Sequence, residues 1–192
     1  FGIHSVLLSQ QRIEAPAQGE QNPRILAQWA EDVCRPRTAL AHPDGKHVMM
    51  GGFAGYGLCG GGIGIYNMQT GEATLLTAER DLLPGHSCIT LKALPDGNLV
   101  GATSVSAPGG GHTEATEAEL FMLDWSTRKL TYHAVVVPGV PSIVSIEVGP
   151  DGLVYGLASD STFFVFDPQG RKVVHSESLQ AYGWPPRHAL QL

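Results

Sequence analysis

The tripeptide Pro-Asp-Gly occurs three times, at Pro43-Asp44-Gly45, Pro95-Asp96-Gly97 and Pro150-Asp151-Gly152, in steps of 52 and 55 residues. No other feature constrains the fold as strongly. Proline presets φ for the first central position of a turn, Asp bonds to backbone two residues on, and Gly tolerates positive φ, so each copy predicts a tight hairpin. Three such hairpins at a near-constant interval mean that one structural unit is used repeatedly.

The segments on either side of each hairpin are of the same kind. Before it lie Pro36–Ala41, Ser87–Leu94 and Ser142–Val148; the last alternates Ile and Val with Ser and Glu, the period of a half-buried strand. We name these strand A. Strand B follows the turn as His47–Phe53, Asn98–Thr103 and Leu153–Ala158. Strand C ends in an apolar-then-polar pair, Ile63–Asn67, Leu120–Asp124 and Phe163–Asp167, and a polar turn leads into strand D at Ala73–Leu76, Leu130–Val135 and Lys172–Ser176. With 24 Gly, 13 Pro and only 16% charged residues, the composition favours short strands and many turns over long amphipathic helices.

Four antiparallel strands in a period of just over fifty residues are one blade of a β-propeller, and the fold class read from the sequence is all-β, a propeller of four-stranded blades. The Pro-Asp-Gly hairpins and the aromatic-Asp strand ends resemble the lactonase-like and quinoprotein-like propellers, which lack Trp-Asp signatures. The resemblance covers roughly residues 34–192 and implies the fold; it carries no activity with it.

The repeat divides the chain into blades at 34–85, 86–140 and 141–184. Residues 185–192 read as the first strand of a following blade. Residues 1–33 read as a partial preceding blade or an extension, with His4–Leu8 and Arg24–Trp29 as candidate strands C and D. Three blades with partial blades at both ends predict a larger ring, completed by further blades or by another chain, because an open stack leaves unpaired strand edges.

A formal net charge of −6 without any long Lys/Arg cluster argues against a nucleic-acid partner. No apolar run approaches the ~20 residues that span a bilayer, so no membrane segment is expected. Cys34, Cys59 and Cys88 leave one thiol over whatever pairs, and none has a C-x-x-C spacing. Compartment and cofactor stay open.

In a propeller, strand A lines the central channel, and the segments leading into it share one face with the B–C loops. That face collects Arg35, Arg37, His86, Ser87, Ser142, Arg187 and His188 from the blade starts, with Phe53, Tyr56, His112, Glu114, Glu117 and Asp160 from the loops. Arg35, Arg37 and Arg187 are forks suited to a carboxylate, sulfate or acidic sugar, unless they pair with acidic residues of neighbouring blades. Phe53 and Tyr56 offer ring faces to a sugar. His86 and His188 are candidate proton carriers beside Tyr56, and His112, Glu114 and Glu117 put an imidazole and two carboxylates in one loop. That set is able to bind a divalent cation or assist proton transfer, against the reading that loop carboxylates are solvated, and no residue is assigned as a metal ligand. Gly55-x-Gly57-x-x-Gly60 matches a dinucleotide-binding expression, but it stands between two strands and is read as a tight loop.

Three functional readings follow. The first is a module that binds an acidic small molecule or a carbohydrate at the channel mouth. The second is a lyase or hydrolase acting on an acidic glycan, and the third is a scaffold within an assembly.

Overall fold

The structure is a computed structural model, and it describes residues 2–5 and 24–183. Within them the repeat appears as three four-stranded antiparallel sheets. The first blade is β3 (Arg35–Ala41), β4 (His47–Phe53), β5 (Ile63–Asn67) and β6 (Ala73–Leu76). The second is β7 (Ser87–Ala93), β8 (Leu99–Ser104), β9 (Leu120–Asp124) and β10 (Lys129–Ala134). The third is β11 (Ile143–Val148), β12 (Val154–Ala158), β13 (Thr162–Asp167) and β14 (Lys172–Ser178). Ahead of them β1 (Gly2–Ser5) pairs antiparallel with β2 (Arg24–Gln28), near the two strands expected there. Each Pro-Asp-Gly closes its hairpin with the glycine at positive φ: 69° at Gly45, 86° at Gly97 and 78° at Gly152.

Innermost in the stack run the three A strands: β7 packs against both β3 and β11. The core lies in the seams between blades. Met49, Ile65 and Leu76 of the first blade meet Leu91, Leu99, Phe121 and Leu123 of the second. Val100 and Leu120 of the second meet Ile146, Val154, Phe164 and Phe166 of the third. Burying a ring such as Phe121 or Phe164 stabilises by roughly 2–3 kcal/mol.

Both rings need a bare neighbour on the next strand. A Cβ on Gly101 would sit 2.2 Å from the Phe121 ring, and one on Gly156 2.1 Å from that of Phe164. Two short elements are absent from the sequence reading: helix α1 (Ala78–Asp81), capped by Thr77 and lying between the first and second sheets, and a 3₁₀ turn at Leu179–Tyr182 after β14. Among the described residues no helix is long and apolar enough to cross a membrane.

Candidate functional site

Each A strand carries an irregularity at the same place. Pairing with strand B slips between Pro36 and Thr38, between Cys88 and Thr90, and between Ile143 and Ser145, so Arg37, Ile89 and Val144 are left without a partner across the ladder. A bulge bends the strand and re-aims the extra side chain. All three line one cavity of about 530 Å³, together with Phe53, Ser104, Ser106, Pro108, Pro141, Ser142 and Ser159. Its residues come from all three blades, from the beginnings of the A strands and from the B ends and B–C loops. That is the face the topology assigned to a site.

Arg37 is exposed, and its guanidinium lies 5.2 Å from the centroid of the buried Phe53 ring. Among the described residues no carboxylate lies within ion-pair distance of Arg35 or Arg37, so the inter-blade salt bridges weighed for them are absent there. No acidic residue appears in the described lining of the cavity. Ser104 and Ser142 join the second and third blades through a 2.6 Å contact between hydroxyls, and the Ser106 backbone N–H donates to Ser104 Oγ at 3.1 Å.

The rim is held by a close crossing of two loops. Gly57 N–H donates to Gly109 O at 2.9 Å, and a Cβ on Gly111 would fall 2.1 Å from Leu58 O. The glycine-rich stretch serves this backbone contact, as a loop in which Gly57 and Gly60 have φ of 74° and 75°.

The other predicted residues are placed elsewhere. Arg35 stacks 4.7 Å from the ring of Tyr56, which is 82% exposed, and neither lines the cavity; Arg35 Nη1 is buried without an acceptor among the described residues. His86 is buried, with Nδ1 2.9 Å from Pro84 O and Nε2 3.1 Å from Glu117 O. Each carbonyl oxygen accepts, so whichever ring nitrogen carries the proton donates to one of the two backbones, and the ring is held between them. His86 thus bridges the Pro84 and Glu117 backbones and does not line the cavity.

Glu117 accepts from Gly139 N–H at 2.6 Å and ties the loop to the next blade connection. His112 and Glu114 bond to each other at 3.1 Å, almost fully exposed, and Asp160 caps its own turn through Thr162. No group of three His, Cys, Asp or Glu arranged to hold a metal ion occurs among the described residues. Arg187 and His188 lie outside the described residues.

Of the sequence candidates, then, the cavity unites Arg37, Phe53 and Ser142. Sequence reasoning missed Ile89, Val144, Ser104, Ser106 and Ser159, although one signal was present. Arg37, Ile89 and Val144 all stand six residues before the proline of their hairpin.

On the opposite face a second polar cluster fastens the first blade to the second. Asp44 Oδ1 accepts from the backbone N–H of Lys46 at 2.9 Å and of His47 at 3.1 Å, and Oδ2 accepts from His47 Nδ1 at 2.7 Å and Trp125 Nε1 at 3.2 Å. His42 stacks on the Trp125 ring, centroids 3.9 Å apart, and donates from Nε2 to Gly97 O at 2.8 Å. The Arg128 guanidinium also lies over this ring, 3.1 Å from the Trp125 centroid. Burial pushes the Asp44 carboxyl up, but hydrogen bonds from Lys46 N–H and from the side chain and backbone of His47 together hold it well below the usual carboxylate range. Asp124, whose carboxylate caps its own turn, is lowered to about 2, chiefly by the Ser126 hydroxyl and the Thr127 N–H.

The sheets and seams together define a β-propeller, present as a partial ring among the described residues. No family model and no curated protein sequence matches the chain. Among solved structures, the crystal structure of RRP9 WD40 repeats is similar, with a TM-score of 0.59 at 10% identity, over 80% of this chain and 40% of that chain. The present chain therefore spans 40% of the length of that neighbour. At this identity the likeness establishes the fold alone. A partial ring fits completion by further blades or by another chain.

Proposed function

We propose that the protein is a propeller binding module that takes an acidic small molecule or acidic carbohydrate at the channel mouth. Within the propellers we group it with the lactonase-like and quinoprotein-like members on its Pro-Asp-Gly hairpins. One observation carries the binding reading: Arg37 stands over Phe53 at the edge of a 530 Å³ cavity with no carboxylate to neutralise it among the described residues. That volume falls in the ordinary range for small-ligand sites, and the lining has their usual character, apolar surface with a few placed polar groups.

A guanidinium without a counter-ion attracts an anion, and the surrounding serines supply hydrogen bonds to hydroxyls. Because the lining comes from three blades, a ligand there would bind the folded stack and not the unfolded chain. Saturation at a hundred times Kd should stabilise the fold by about 2.7 kcal/mol.

The test is calorimetric titration with glucuronate, followed by thermal unfolding with and without it. Saturable binding with a raised Tm, both lost in Arg37→Ala, supports the site. Binding that survives Arg37→Ala places the ligand elsewhere, and no binding of any sugar acid leaves the scaffold reading.

A further inference from the structure

The mouth holds a chain of hydroxyls whose direction can be worked out. Ser104 is fully buried, and its oxygen accepts from the Ser106 N–H. A buried hydroxyl proton must itself find an acceptor, since leaving it unmade costs about 1–3 kcal/mol. Among the described residues the oxygen within reach of that proton is Ser142 Oγ at 2.6 Å. Ser104 therefore donates and Ser142 accepts, which frees the Ser142 proton to leave the chain. Ser142 is half-buried and lines the cavity, so its O–H is directed to whatever occupies it. Polarisation along successive bonds strengthens that last donor.

The charge at the mouth is equally informative. Of the three equivalent bulge positions, one carries Arg37 and the other two carry Ile89 and Val144. Arg35, the other cation nearby, is stacked under Tyr56 with one nitrogen buried and lies outside the cavity lining. A single guanidinium with a neutral hydroxyl donor matches a singly charged planar anion. A phosphate monoester, close to a dianion at neutral pH, would leave charge unmatched in a pocket with apolar walls.

We infer that the mouth selects a carboxylate over a phosphate ester, holding it between the Arg37 guanidinium and a Ser142 hydroxyl oriented by Ser104 and Ser106. The inference rests on the binding reading above and narrows its ligand to a carboxylic acid, a uronic acid among sugars. Ser104 acts through Ser142 and is a positioning residue.

The experiment compares three ligands on one skeleton, glucuronate, glucose 6-phosphate and glucose, by calorimetric titration at neutral pH against wild type, Arg37→Ala, Ser142→Ala and Ser104→Ala. Glucuronate is expected to bind at least tenfold more tightly than either of the others. Ser142→Ala should weaken it about tenfold and Ser104→Ala about threefold, with glucose affinity little changed. If Ser142→Ala unfolds, Ser142→Thr, which keeps the hydroxyl, must retain glucuronate affinity within a few fold.

Glucose 6-phosphate binding as tightly as glucuronate, with both lost in Arg37→Ala, overturns the carboxylate assignment and leaves an anion-binding mouth standing. Unchanged glucuronate affinity in Ser142→Ala overturns the hydroxyl chain. Equal affinity for glucose and glucuronate, or no binding of any of the three, removes the acidic-ligand reading as well.

Discussion

The two ends of the stack treat their polar groups in opposite ways. At the hairpin end, Asp44 accepts four hydrogen bonds, two on each oxygen, and its partners His47 and Trp125 are themselves held by Asn67 and His42. At the mouth, Arg37 has no ion pair among the described residues, and the hydroxyl chain ends on Ser142 with a proton to give. A carboxylate that already accepts everything it can has nothing left for a ligand; it holds blades together. Open bonding capacity in a cavity is what recognition needs. The contrast is instructive because the hairpin end is richer in His, Asp and Trp, the residue types that chemistry favours, and yet there they engage one another.

Four substitutions test this contrast. The largest effect belongs to Trp125→Ala, which removes the ring that His42, Asp44 and Arg128 share. We expect a loss of about 3 kcal/mol in urea unfolding, with glucuronate affinity preserved in the protein that remains folded. A loss under 1 kcal/mol would mean that the cluster is not a fastening.

Next comes Gly111→Ala at the rim, where the new Cβ meets Leu58 O at 2.1 Å and forces the crossing loops apart. About 2 kcal/mol of stability should go, and because Ser106 and Pro108 move with that loop, affinity at the mouth should fall with it. Asp44→Asn is third, at about 1 kcal/mol near neutral pH.

It carries a pH signature whose sign is determined. The native carboxyl is held below its unfolded value of about 3.9. Its contribution is therefore complete above that pH and declines as pH falls toward the folded value. Acid unfolding followed by circular dichroism should thus be shallower in Asp44→Asn than in wild type between about pH 4 and 2. Parallel acid profiles would deny Asp44 that role. Smallest of all is Arg37→Ala, with a change in unfolding free energy within about 0.5 kcal/mol, because the residue is exposed and has no ion pair among the described residues. A loss above 1 kcal/mol would show that Arg37 supports the fold and weaken its assignment to a ligand.

Much of the fold was legible in the chain. His47–Phe53, Ile63–Asn67 and Ala73–Leu76 run over the residues that the turn spacing and alternation predict. The site was legible only in part. Arg37 and Phe53 could be placed at the mouth because strand order alone puts the starts of A and the ends of B on one face. The contacts of His86 could not be read from sequence, since one of them is to Glu117 O, thirty-one residues away. Nor could Trp125 be seen as the partner of Asp44, eighty-one residues earlier.

By itself the sequence determined the unit and its repetition: turn chemistry in Pro-Asp-Gly and the two-residue period of strands act over a few residues, and local sterics suffice to express them. Tertiary structure decided which side chains have partners. Which carbonyls a histidine meets, whether an arginine lacks a counter-ion and where a serine proton points depend on groups brought together by the stacking of blades, and hydrogen-bond saturation is a property of that neighbourhood, not of the residue.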